Sequence, residues 1–190
     1  MLNLDKLLKC LPGAKDFHVL PYLDIFNQEM ESYGINTSIR QAAFLAQVGH
    51  ESGSLRYREE LASGNAYTNR KDLGNTHPKA IAFARANGVD TGPFYKGHGF
   101  IQITGYANHL AYSMTAYNDD RCAMNPKLLT QAPDVVGSAC WFWANRKLNE
   151  IADAHTYKAF CQITRRINGG YNGLENRKAR WEICKEALGA

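Results

Sequence analysis

The sequence predicts a mainly α-helical domain in two lobes, with at most a short β element. Three observations predict it. Apolar residues recur at helical spacing in one segment after another, those segments stop at glycine or proline, and only Phe100–Thr104 alternates like a strand. The stretch 61–93, rich in Ala, Gly, Asn and Thr, marks a smaller lobe hung on glycine-containing hinges. The larger lobe then spans about residues 1–60 and 94–190, all within one domain. At 190 residues the chain is long enough to bury a core.

Taken in order, residues 1–10 form an amphipathic helix ended by Pro12-Gly13. A second helix covers about 21–33, with Leu23, Phe26, Met30 and Tyr33 on one face and Gly34 as terminator. Ser38 caps a third, Gln41 completing a capping box. Ile39, Ala42, Ala43, Leu45, Ala46 and Val48 fill most of its circumference with apolar or small side chains, as in a central core helix. A short helix is expected at Pro78–Ala86, and Asn108 falls on the first turn of another. Further helices open at Ala132-Pro133-Asp134, run over Tyr157–Ile167, and close the chain at Leu174–Leu188. Trp141, Phe142 and Trp143 belong to core packing.

Composition narrows the function classes. No apolar run approaches the ~20 residues of a membrane helix, and the N-terminus has no continuous apolar leader, so no stable membrane insertion is expected. The five cysteines are odd in number, widely spaced and without CxxC, which predicts reduced thiols and neither a disulfide framework nor a zinc site. The net charge of +4 suits an encounter with polyanions, including the acidic polymers of a bacterial wall. Arg165-Arg166 and Arg177-Lys178-Arg180 are the basic clusters, but no nucleic-acid-binding signature accompanies them.

The chemistry concentrates in SIRQAAFLAQVGHESGSLRYREE, Ser38 to Glu60. His50 and Glu51 end the apolar helix where more core is expected. On one unbroken helix Glu51 and Glu60 would be separated by roughly 900° of rotation and about 13.5 Å of rise, pointing apart. Ser52-Gly53-Ser54 breaks the helix, so the chain can fold back and present both acids to one substrate, as acid/base glycoside hydrolysis requires. Spacing alone favours a solvated surface pair for Glu59 and Glu60; the rest of the chain reverses that reading. In YKGHGFIQITGYAN, Tyr95 to Asn108, strand alternation would put Phe100, Gln102 and Thr104 on one side and Ile101 and Ile103 on the other. NGGYNG, Asn168 to Gly173, follows a helix and lacks the features of a phosphate cradle.

AAFLAQVGHESG, the Tyr95–Asn108 segment and ITRRINGGYNGLENR, in that order, resemble the family 19 glycoside hydrolases, and within them the peptidoglycan-cleaving bacteriophage endolysins and bacterial lysozyme-like members. The likeness runs from about Thr37 to Trp181. It implies a lysozyme-like, two-lobed α-helical fold and an inverting mechanism without metal or organic cofactor. By motif, Glu51 matches the general acid and Glu60 the carboxylate that activates water, with Glu59 a one-residue alternative. Thr104 matches the hydroxyl that holds the water. Gln102, Asn108 and Asn168 match substrate-binding residues, with Tyr95 and His98 in the same substrate-binding segment. Arg177 matches a basic residue behind the acid. His50, beside an acid at a helix end, reads as a supporting hydrogen-bonding residue in preference to a catalytic base. His98 stands where the family often has Arg, Asn172 where plant members have an acid, and Ser54 where glycine is common.

The implied reaction is hydrolysis of the β-1,4 bond between N-acetylmuramic acid and N-acetylglucosamine, causing bacterial lysis. Glu51 is then expected to be partly buried beneath apolar side chains with a raised pKa, and Glu60 to stay ionised. The implied setting is a monomeric enzyme waiting in a host bacterial cytoplasm until a separate pore-forming protein opens a route to the periplasm and the wall. Other readings use the same residues: a chitinase, or a secreted antibacterial effector. An inactive wall-binding protein would not need both carboxylates, and a nucleic-acid binder would need a coherent basic face.

Overall fold

A computed structural model describes the whole chain, Met1 to Ala190, as twelve α-helices joined by turns and short 3-10 segments. They are α1 (Leu4–Cys10), α2 (Asp16–Val19), α3 (Leu23–Ser32), α4 (Ser38–Glu51), α5 (Pro78–Ala86), α6 (Thr91–Phe94), α7 (Tyr106–Tyr117), α8 (Arg121–Met124), α9 (Asp134–Asn145), α10 (Leu148–Ala152), α11 (Tyr157–Asn168) and α12 (Leu174–Leu188). No helix is long and apolar enough to cross a membrane. The residues group into two compact units, one of Met1–Arg56 with Ala139–Ala190, the other Tyr57–Ser138.

The first unit is built on α4, in which every residue from Ala42 to Gly49 is buried. Its small side chains let α12 lie close along it: a Cβ on Gly49 would stand 3.1 Å from both Leu11 and Arg180 side-chain atoms. α1 packs on α12 in turn. The cap of α4 is Thr37, not Ser38; the Thr37 hydroxyl accepts the Arg40 N–H, and Ser38 is already helical. Trp143 is fully buried, its indole N–H donated to Asn149 Oδ1 at 2.8 Å.

The second unit reaches well beyond the smaller lobe expected at 61–93. That segment has too few large apolar residues to enclose a core of its own. Ala80 of α5 instead packs with Tyr95, Tyr106 and Ala123, flanked by Phe83, Phe94 and Leu110. Asn75 ties the parts together, accepting the Tyr106 N–H and donating to the Tyr67 carbonyl. Asp134, at the start of α9, accepts hydrogen bonds from the Tyr112 and Tyr117 hydroxyls, both at 2.6 Å.

Phe100–Thr104 is not a strand. Pairing there is limited to isolated antiparallel bridges, Glu59 with His98 and His98 with Ile103. Gln102 takes a left-handed conformation at φ 57, which breaks the alternation. Phe100, Ile101 and Ile103 can therefore all be buried, whereas an alternating strand would have set Phe100 apart from the isoleucines.

Candidate active site

Glu51 is the last residue of α4, and the break expected after it is a tight turn with three successive left-handed residues, Gly53, Ser54 and Leu55. Two of these are not glycine, so side-chain bonds must hold the bend. Ser52 Oγ donates to the Val48 carbonyl and accepts the Leu55 N–H. Ser54 Oγ donates to the Pro12 carbonyl and accepts from Arg180 Nη1. The serine standing where glycine is common thus secures the turn.

A buried guanidinium holds the Glu51 carboxylate. Arg177 Nη2 donates to Glu51 Oε1 at 2.6 Å, with Arg177 only 1% exposed and the Glu51 side chain 20% exposed. The other guanidinium nitrogens are also committed: Nη1 to Gln47 Oε1 at 2.6 Å, Nε to the Asn172 carbonyl at 3.2 Å. Gln47 Nε2 then donates to Thr164 Oγ1 at 2.8 Å. Thr164, Gln47, Arg177 and Glu51 form one polar chain from α11 through α4 and α12. The partner of Glu51 is thus Arg177, the basic residue that the resemblance implied behind the acid, and the carboxylate is partly buried against that charge. Asn172, where plant members carry an acid, contributes only a backbone oxygen.

His50 faces Asn176, Nδ1 to Oδ1 at 2.8 Å, and burial, reinforced by the positive charge of Arg177, moves its pKa below the ordinary value. Its ring lies against Gly173, which has φ +70 and no room for a Cβ. Asn168 ends α11, and its buried amide nitrogen has no acceptor.

In the second unit, Glu60 is held by neutral donors. Tyr67 OH donates to Oε1 at 3.0 Å and the Gly97 N–H to Oε2 at 2.9 Å, while the Glu60 N–H returns a bond to the Gly97 carbonyl. Burial first, and then the bond to Glu60, raise the Tyr67 pKa, so the phenol stays a donor. Glu59 is engaged differently, 2.9 Å from Lys96 Nζ.

Gln102, Thr104 and Asn108 brace their own loop. Gln102 Nε2 donates to the Gly99 carbonyl, Thr104 Oγ1 to the Gln102 carbonyl, and Asn108 Nδ2 to the Thr104 carbonyl. All three remain partly exposed. Gln102 folds over Gly97 so closely that a Cβ there would come within 2.6 Å of its Oε1. Two expected substrate-binding residues are placed otherwise. Tyr95 is fully buried and donates its hydroxyl to the Ala123 carbonyl. His98 is 1% exposed, with Nδ1 3.2 Å from His109 Nε2. Burial lowers the pKa of His98 to about 4 and that of His109 to about 3, so both rings are neutral and structural.

No family model matches the chain. Over 170 residues it is 34% identical to a glycosyl hydrolase family 19 domain-containing protein of Haemophilus influenzae, covering 78% of this chain and 80% of that one. The chain belongs to glycosyl hydrolase family 19. An Arabidopsis thaliana endochitinase is 31% identical over 159 residues, 83% of this chain and 49% of its own length, so the family 19 domain spans about half of that plant relative. The fold is similar to that of chitinase C from Streptomyces griseus, with a TM-score of 0.74 at 22% identity over 99% of this chain and 76% of that chain. The domain is therefore a chitinase-like glycoside hydrolase with the mainly helical, lysozyme-like fold of its family.

Sequence reasoning passed over Gln47 and Tyr67. Gln47 had a signal: it is polar in an otherwise apolar helix and lies one turn before Glu51, on the same face. Tyr67, in a polar segment, had none.

Proposed function

We propose that the family 19 domain hydrolyses the β-1,4 bond of an N-acetylglucosamine-containing polymer, with Glu51 as general acid and Glu60 as general base. The roles follow the match of Glu51 and Glu60 to the family's acid and base, and the observation that supports them is that each carboxylate is fixed in place by its own set of donors. Glu51 is oriented by a guanidinium already fixed on its other nitrogens. Such a cation stabilises the carboxylate left behind when the proton passes to the glycosidic oxygen. Glu60, positioned by a hydroxyl and a backbone N–H, is the carboxylate that would take a proton from water. Water oxygen then bonds to the anomeric carbon as the bond to the leaving sugar breaks, with inversion. Thr104 Oγ, which spends its proton on the Gln102 carbonyl, offers an acceptor to that water. The unpartnered Asn168 amide is suited to a sugar acetamide oxygen, and Asn108 and Gln102 supply further polar contacts.

Chitin is the polymer that the relatives' names favour. Peptidoglycan is the second reading, supported by the positive net charge and by Asn172 in place of an acid, a feature of the endolysin-like branch. On that reading the enzyme acts as a monomer and reaches the wall from a bacterial cytoplasm through a separate pore-forming protein. The test is sugar release from chitin and from purified peptidoglycan by wild type, Glu51→Gln and Glu60→Gln, with the anomeric form of the first product read by NMR. An α-anomer and loss of release in both variants are expected. A β-anomer, or undiminished release by Glu51→Gln, rejects the assignment.

A further inference from the structure

Arg146, Lys147 and Arg166 line, with Asn145, a notch of about 430 Å³ in the first unit. No carboxylate lines it, and none of its three cations is in an ion pair. Among the other surface arginines, Arg40 is paired with Asp153, Arg70 with Asp72 and Arg121 with Asp119, each through two nitrogens, whereas Arg56, Arg85 and Arg165 form no ion pair either.

The notch is also held in place. The Arg146 guanidinium stacks over Phe142, 4.1 Å from the ring centroid, and Arg166 Nη1 donates to the Arg146 carbonyl at 3.0 Å. Lys147 leaves the end of α9 in a left-handed conformation, φ 51. Cations often gather at helix C-termini to meet free carbonyls. That accounts for Arg166, but the Arg146 and Lys147 side chains donate to no carbonyl. Arg146 stays exposed, although packing around its guanidinium lowers its pKa from the ordinary value.

We propose that this notch binds an oxyanion group, phosphate or carboxylate, carried by an anionic cell-wall polymer, and so anchors the enzyme at a site other than the one that cuts. Two guanidinium forks and an ammonium suit an oxyanion of either kind. A notch lined by only three cations favours a polymer bearing discrete anions over duplex nucleic acid, whose phosphates are met by a longer basic track. The inference rests on the peptidoglycan reading of the substrate.

The test measures retention of wild type, Lys147→Asn and the double variant Arg146→Gln/Lys147→Asn on three solids: intact bacterial walls, walls stripped of phosphate polymers by hydrofluoric acid, and chitin. Asn suits the left-handed position, and neither replaced side chain donates a hydrogen bond within the fold. At low salt the double variant should bind intact walls about tenfold more weakly, with a smaller deficit for Lys147→Asn, both fading at high salt. Retention on uncharged chitin should not change. A deficit on intact walls alone assigns the phosphate, and one on both wall preparations assigns the carboxylate. Equal retention of all three proteins on both wall preparations overturns the proposal. Cleavage of a soluble N-acetylglucosamine oligomer should proceed at the wild-type rate in every variant, which keeps failure of anchoring distinct from failure of the hydrolase reading.

Discussion

Gln47 Oε1 accepts a hydrogen bond from Arg177 Nη1 at 2.6 Å, and both side chains are buried. The contact leaves Arg177 Nη2 aimed at Glu51. Gln47→Leu should therefore do two things. Stability should fall by about 1–3 kcal/mol, because a buried guanidinium loses an acceptor and Thr164 a donor, which urea unfolding will measure. kcat should fall with little change in KM, since the residue acts on the orientation of Glu51 and touches no sugar.

The two neighbouring acids should separate cleanly. Glu60→Gln is expected to lower kcat by about 10²–10⁴-fold, the range of a lost general base. Glu59→Gln removes only a partly exposed pair with Lys96 and should stay within about twofold of wild type. Steady-state rates on a soluble oligomer decide it, and the reverse order would transfer the base to Glu59.

The His98–His109 pair makes stability pH-dependent. His109 Nδ1 lies 2.8 Å from the Gly105 carbonyl and so carries a proton, which leaves Nε2 to accept from His98 Nδ1. A second proton would set two N–H groups against each other. With folded values of about 4 and 3 against an ordinary 6.5, the unfolded chain takes up protons first as pH falls. The contribution is complete above pH 6.5 and is lost as pH drops through about 4. Two histidines amount to about 3–4 kcal/mol by pH 5. Urea unfolding from pH 8 to 5 should show this slope, and His109→Phe should flatten it.

Gly173→Ala should be among the more damaging single-methyl changes. The position needs φ +70, and the added carbon would run into the His50 ring. A loss of about 1–3 kcal/mol is expected from the backbone strain alone. Adding His50→Ala should recover part of the loss in thermal unfolding; no recovery would mean that the ring is not what fills the space.

Much of this organisation was legible in the chain. The bounds of α5 and α12 coincide with the expected 78–86 and 174–188, because proline, glycine and amphipathic spacing act locally. Boundaries set by non-local partners were not legible. The second unit extends beyond residue 93 because Ala80 needs Tyr106 and Ala123 to bury against, and no window around Ala80 contains them.

The sequence by itself determined the longer helices, the break after Glu51 and the order of motifs that places the chain in family 19, since each depends on residues a few positions apart; the short helices α2, α6, α8 and α10 were not among those expected. Only the tertiary structure decided which polar side chains are withdrawn from solvent and what they meet there. Tyr95 and His98 lie in the same short motif as Gln102 and Thr104, yet the first two are sealed against Ala123 and His109 while the second two stay partly exposed. Burying a polar group is tolerated only where a partner waits, and those partners come from other parts of the chain.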